Sequence, residues 1–169
     1  DSSRTVYTFT LREGLAFHDG RPITTEDVRY SLERGASPNL NSPTASLYLG
    51  DIVGVAEKLA GAADSISGIE IVNDRVIRLT IDSPKAYFLA KLTYPTASMV
   101  DSETIEPRGV EWWRGSINGS GPFSLNKWEE EEVLVLERFD GYPTPSTLQY
   151  AVFPFNLGTS MQLYEAELT

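Results

Sequence analysis

His18-Asp19 is the one place where the chain sets a histidine beside an acid. A hydrolytic triad would need that imidazole, a nucleophile and an orienting acid gathered in space, which adjacency along the chain does not supply. A turn following a strand is the favoured reading. Asp19 and Asp51 are the carboxylates that a glycosidase-type hydrolase would use, but such enzymes need the two groups at a fixed separation across the scissile bond. Nothing in the sequence places them together. The run Glu129-Glu130-Glu131-Glu132 lacks the spaced ligands and central glycine of a calcium loop, and reads as the solvated tip of a hairpin. Gly119 and Gly121 are not followed by Lys-Ser/Thr or by a helix, so they do not form a phosphate loop. Trp112-Trp113 beside Arg114 could line a sugar or peptide cleft, but packing in a core or against another lobe is the favoured reading, because large aromatics dominate cores. Two loop segments of small and polar residues remain as ligand-facing candidates, Ser42-Pro43-Thr44-Ala45-Ser46 and Leu92-Thr93-Tyr94-Pro95-Thr96.

Local patterns indicate the elements that must hold these residues. Residues 6–11 alternate Val6, Thr8, Thr10 with Tyr7, Phe9, Leu11, the period of a half-buried strand. Asp19-Gly20 supplies a turn. Thr24 or Thr25 can cap a helix with Glu26 and Asp27 in its first turn, Val28 and Leu32 on its buried face and Gly35 at its end. Residues 36–46 read as a polar loop. Ile52, Val55 and Leu59 predict a second amphipathic helix. Residues 69–72 and 76–81 predict a hairpin about Asn73-Asp74. Ser83-Pro84 is a cap and first-turn pair for a helix burying Phe88 and Leu92. Residues 99–119 look irregular, with a helical turn at 111–114. Strands are expected at 122–128, 133–139 and 148–153, and a last helix over Met161, Tyr164 and Leu168. The expected fold class is α/β of the α+β kind, a mixed or antiparallel sheet with flanking helices.

Composition narrows the function. The chain has 169 residues, eighteen of them aromatic, and a net charge of −10. It can form one domain or two small lobes. The acidic balance argues against nucleic acid as a partner, since phosphate binding needs clustered Lys and Arg. There is no cysteine and a single histidine, so no metal or other cofactor is expected. No apolar run is long enough to span a bilayer. A start at Asp1 without Met reads as a processed or excised segment.

The stretch Leu11-Arg12, Phe17, Asp19-Gly20, Pro22, Asp27-Val28 occurs in an order that resembles the signature of the family 5 extracellular solute-binding proteins, which serve peptide and nickel ABC importers. Gly119-Ser120-Gly121-Pro122-Phe123, followed by the strand pattern of residues 133–138, resembles a second family motif, with Ser120 where Thr is usual. Glu165-Ala166-Glu167-Leu168-Thr169 resembles a worn Gly-Glu-Ile-Asp element.

This resemblance implies part of one lobe of a two-lobed fold that closes over its ligand. Residues 1–99 would be the small inserted subdomain of the first lobe, and 100–169 part of that lobe's main sheet, with the second lobe absent. It implies a non-catalytic receptor on the outer side of the cell membrane. Such a receptor captures a peptide, or a similar small solute such as a nickel complex or a sugar, and delivers it to an ABC permease. Membrane association would come only through an N-terminal lipoprotein anchor outside the chain. A ligand-sensing domain of a regulator would share the fold, and a carboxylate-based hydrolase is the remaining alternative. Among relatives an aromatic residue matching Thr44 reaches the peptide and a basic one matches Tyr94, so the resemblance carries over location and not chemistry. The ligand-binding candidates are therefore Thr44, Tyr94 and Tyr48, the last standing one turn from Thr44 if that segment is helical. A chain lacking the second lobe is expected to expose apolar surface and an open sheet edge.

Overall fold

The computed structural model of the protein describes residues 4–111 and 117–155. Two three-stranded antiparallel sheets carry the fold. In the first, β1 (Val6–Thr10), β2 (Ile69–Asn73) and β3 (Val76–Thr80) run in the order β1-β3-β2. The β2–β3 hairpin turns where expected, because the Asn73 side-chain oxygen accepts hydrogen bonds from the backbone N–H groups of Arg75 and Val76, an Asx-type turn. β1 then pairs with β3 from Val6↔Thr80 to Thr10↔Val76, so the hairpin folds back across everything between.

Helix α1 (Thr25–Gly35) lies against this sheet. Thr24 is its N-cap, and the Asp27 carboxylate accepts from the Thr24 N–H at 2.8 Å, satisfying a donor that the helix start leaves unpaired. Thr25, fully buried, donates its hydroxyl to the Asn73 carbonyl at 2.7 Å and so ties the helix to the hairpin. Val28 and Leu32 join Leu49, Ile52, Val55, Ile66, Ile77, Leu79, Ile81 and Phe88 in one core.

Several local expectations are corrected. The polar loop of 36–46 ends early, because α2 (Ala45–Leu49) begins inside it and buries Ala45 and Leu49. The second helix is only α3 (Val55–Leu59). Ile52 instead bridges to Ile81, and Gly54 turns the chain at φ +91°. Ser83-Pro84 does not start a helix. α4 (Phe88–Lys91) begins after Tyr87, because Lys85 is drawn into ion pairs with Asp51 and Asp82 and its carbonyl accepts from the Phe88 N–H. The irregular stretch holds α5 (Ser102–Ile105) and a 3-10 turn over Glu106–Glu111. Of the expected turn at 111–114 only Glu111 is described, as the end of that 3-10 turn, while the Trp112-Trp113 pair, the last helix and the residues 165–169 motif lie outside the described residues.

The second sheet, β4 (Phe123–Glu129), β5 (Val133–Arg138) and β6 (Tyr150–Pro154), is a meander in that order. The four glutamates form the exposed β4–β5 tip, with Glu131 at φ +63°. On β6 and just after it, Tyr150, Val152, Phe153 and Phe155 are each about half exposed. Among the described residues β6 pairs only with β5. No helix among the described residues is long and apolar enough to cross a membrane.

Candidate functional site

Thr44, Tyr48 and Tyr94 come together although 46 residues separate Tyr48 from Tyr94 in the sequence. Thr44 is the N-cap of α2, and its carbonyl accepts from the Tyr48 N–H at 3.0 Å. The helix thus places Tyr48 one turn beyond Thr44. Tyr94 precedes a 3-10 turn, Pro95–Ala97, whose proline suits a first-turn position. Its N–H donates to Lys91 and its carbonyl accepts from Ala97. The two tyrosine rings stack face to face, centroids 3.6 Å apart and planes within 6°. Beside them the Thr44 and Thr96 hydroxyls share a hydrogen bond of 2.6 Å.

Close backbone packing holds this arrangement from below. A Cβ on Gly35 would stand 3.2 Å from the Thr96 carbonyl oxygen and 3.3 Å from Leu49 Cδ1. The end of α1 thus packs closely on both α2 and the 3-10 turn, and a side chain there would push its neighbours aside by a few tenths of an ångström. Gly35 reads in sequence as a helix terminator, and Thr96 as one more loop residue. No local pattern announces their partnership.

Three residues after Tyr48 in the chain, buried Asp51 receives Lys85 at one oxygen and Lys91 at the other, each at 2.7 Å. Burial pushes the Asp51 carboxyl up, but the two ammonium groups outweigh it and hold its pKa below the usual value. Lys91 also lies over the Tyr87 ring at 5.0 Å.

The residues weighed for hydrolytic chemistry are not gathered. Asp51 is taken up by its two lysines. Asp19 accepts from the Arg21 N–H and its own N–H donates to Asn118, the role of a turn residue. His18 clips the two sheets together. Its Nδ1 accepts from the Gly119 N–H at 3.2 Å, and its Nε2 lies 3.0 Å from the Gly121 carbonyl, to which it donates in that tautomer. A Cβ on Gly119 would approach the imidazole to 3.0 Å, which explains a glycine there. The ring also packs on Phe139 and borders an apolar groove of about 350 Å³ lined by Phe123, Leu125, Trp128, Leu134 and Phe155.

A second junction is ionic. Arg21 bridges Asp27 at 2.8 Å and Asp101 at 2.5 Å. Asp101 is nearly fully buried and also accepts from Thr104, Asn118 and the Glu103 N–H. Burial alone would raise its pKa, but these hydrogen bonds and the guanidinium charge bring it down to about 2. Arg21, which lies between Gly20 and Pro22 of the first sequence motif, and the motif's Asp27 thus join the turn before α1 to the strand approach at Asn118.

The architecture is two small antiparallel sheets with helices packed on one of them. Comparison with known proteins makes this specific. Residues 1–165 match the family described as bacterial extracellular solute-binding proteins, family 5 Middle, and the chain belongs to that family. It is 36% identical over 140 residues to the periplasmic oligopeptide-binding protein OppA of Escherichia coli, a match covering 81% of this chain and 26% of the relative. A periplasmic oligopeptide-binding protein structure from Borrelia burgdorferi superposes with a TM-score of 0.87 at 30% identity, covering 99% of this chain and 34% of that one. Listeria monocytogenes OppA bound to peptide superposes at 0.90 and 25% identity, covering all of this chain and 35% of that one. The chain spans about a quarter to a third of the length of these relatives.

Proposed function

We propose that this chain is part of an extracytoplasmic receptor that captures peptides for an ABC importer, and that Thr44, Tyr48 and Tyr94 form its ligand-facing edge. The observation that carries the reading is their convergence, in a chain of the solute-binding family, into one hydroxyl-bonded and ring-stacked cluster. Relatives named for oligopeptide binding support peptide as the ligand class. The mechanism is closure of two lobes about a hinge, driven by ligand contacts made only in the closed state. The closed form is what the permease engages. Residues 1–99 are the small subdomain and 100–169 contribute to the main sheet of one lobe. The separation of the two sheets, joined through His18 and Arg21, supports that division. The receptor acts by binding and not by catalysis.

Calorimetry on the intact protein with peptides of two to five residues tests this. Saturable binding is expected, weakened about fivefold or more by Tyr94→Ala, as for a buried aromatic anchor. Binding of a non-peptide solute with no response to any peptide would overturn the ligand class. Unchanged affinity in the variant would overturn the site.

A further inference from the structure

We propose that the stacked Tyr48–Tyr94 pair is a side-chain subsite selective for an uncharged ring, aromatic or proline, on the bound ligand. The inference rests on the peptide-capture reading above and names what one part of that site prefers. Each tyrosine covers one face of the other at 3.6 Å, and Tyr94 remains 38% exposed. Among the described residues neither phenol hydroxyl is engaged. The surface offered is a flat apolar ring with a polar rim.

Charge decides which ligand group suits it. Residues 42–50 and 87–99, the two segments that build the cluster, contain a single ionisable cation or anion, Lys91. Lys91 is ion-paired with Asp51 at 2.7 Å, and Asp51 holds Lys85 on its other oxygen. No free counter-ion remains there for an acidic or basic ligand side chain, which would lose hydration without replacement. A ring side chain loses no such hydration and gains stacking contact with Tyr94. The platform is also rigid. Tyr94 is held by backbone bonds to Lys91 and Ala97, Thr96 by the Thr44 hydroxyl, and the 3-10 turn by its tight approach to Gly35. A pre-ordered ring loses little freedom when a ligand lands on it.

The test uses the intact protein and peptides identical except for Ala, Phe, Pro, Asp or Lys at one position, scanned along the peptide by calorimetry. At one position Phe and Pro should bind about tenfold tighter than Asp or Lys. Tyr94→Ala should weaken the Phe and Pro peptides more than the Ala peptide and so bring the Phe-to-Ala affinity ratio close to one, and Tyr94→Phe should retain the preference. A uniform loss across all peptides in Tyr94→Ala, or a preference for Asp or Lys at every position, overturns the proposal while leaving peptide capture standing. If the wild type binds no peptide, peptide capture fails. The platform is then judged by saturation-transfer NMR with N-acetylphenylalaninamide against N-acetylaspartate amide. A Tyr94-dependent signal from the phenyl ring alone supports it, and equal or absent signals overturn it.

Discussion

Replacing Asp101 by alanine should cost the fold about 3 kcal/mol, a figure that follows from what the carboxylate holds. It is 2% exposed and accepts from Arg21 at 2.5 Å, Thr104 at 2.6 Å, Asn118 at 2.8 Å and the Glu103 N–H at 3.1 Å. Removing one partner of a buried ion pair typically costs about 3–5 kcal/mol, because the other charge and the remaining donors lose their acceptor. Arg21 keeps Asp27 and is a quarter exposed, which places the loss at the lower end of that range. Urea unfolding of wild type and Asp101→Ala, followed by circular dichroism, measures it as a shift of midpoint at constant m. A loss below about 1 kcal/mol, the size of a single ordinary hydrogen bond, would refute the account of the junction. The same group carries a pH signature. Its folded pKa of about 2 lies below the ordinary value of 3.8. Its stabilising contribution is therefore fully present above about pH 4 and is lost as pH falls toward 2. Asp101→Ala should show a shallower decline of stability across that window.

Gly54→Ala should destabilise by about 2–4 kcal/mol, from a left-handed backbone and a backbone clash together. Its φ is +91°, and a Cβ there would stand 2.5 Å from the Ser67 backbone nitrogen. Thermal unfolding measures this, and a melting temperature within a degree of wild type would contradict the packing described. Phe88→Ala should cost about 3–5 kcal/mol, since a fully buried ring leaves a cavity that its neighbours fill only in part. That ring lies 4.9 Å from Tyr7, so a loss under 1 kcal/mol would mean that the site collapses freely around the gap.

Elements governed by near neighbours were legible in the chain itself. The cap at Thr24, the apolar spacing of Val28 and Leu32 and the glycine at position 35 delimit α1, because capping and helical period act within a few residues. Asn73 turns the hairpin through its own side chain. The order of residues from Leu11 to Val28 likewise sufficed to indicate the family. Where a distant partner competes, local signals lose. Ser83-Pro84 looks like a helix start, but Lys85 is claimed by Asp51 from far along the chain, and α4 begins later. The candidate site divides in the same way. Thr44, Tyr48 and Tyr94 could be named from loop character and resemblance, but their stacking, the Thr44–Thr96 bond and the fit at Gly35 could not. Those contacts exist only once β1 has paired with β3 and α1 has packed down, bringing together segments that share no local pattern. His18 against Gly119 and Arg21 against Asp101 belong to the same class. Each is a contact between two halves of the chain whose geometry arises from the whole core, since side chains that meet across a hundred residues carry no mark of one another in sequence.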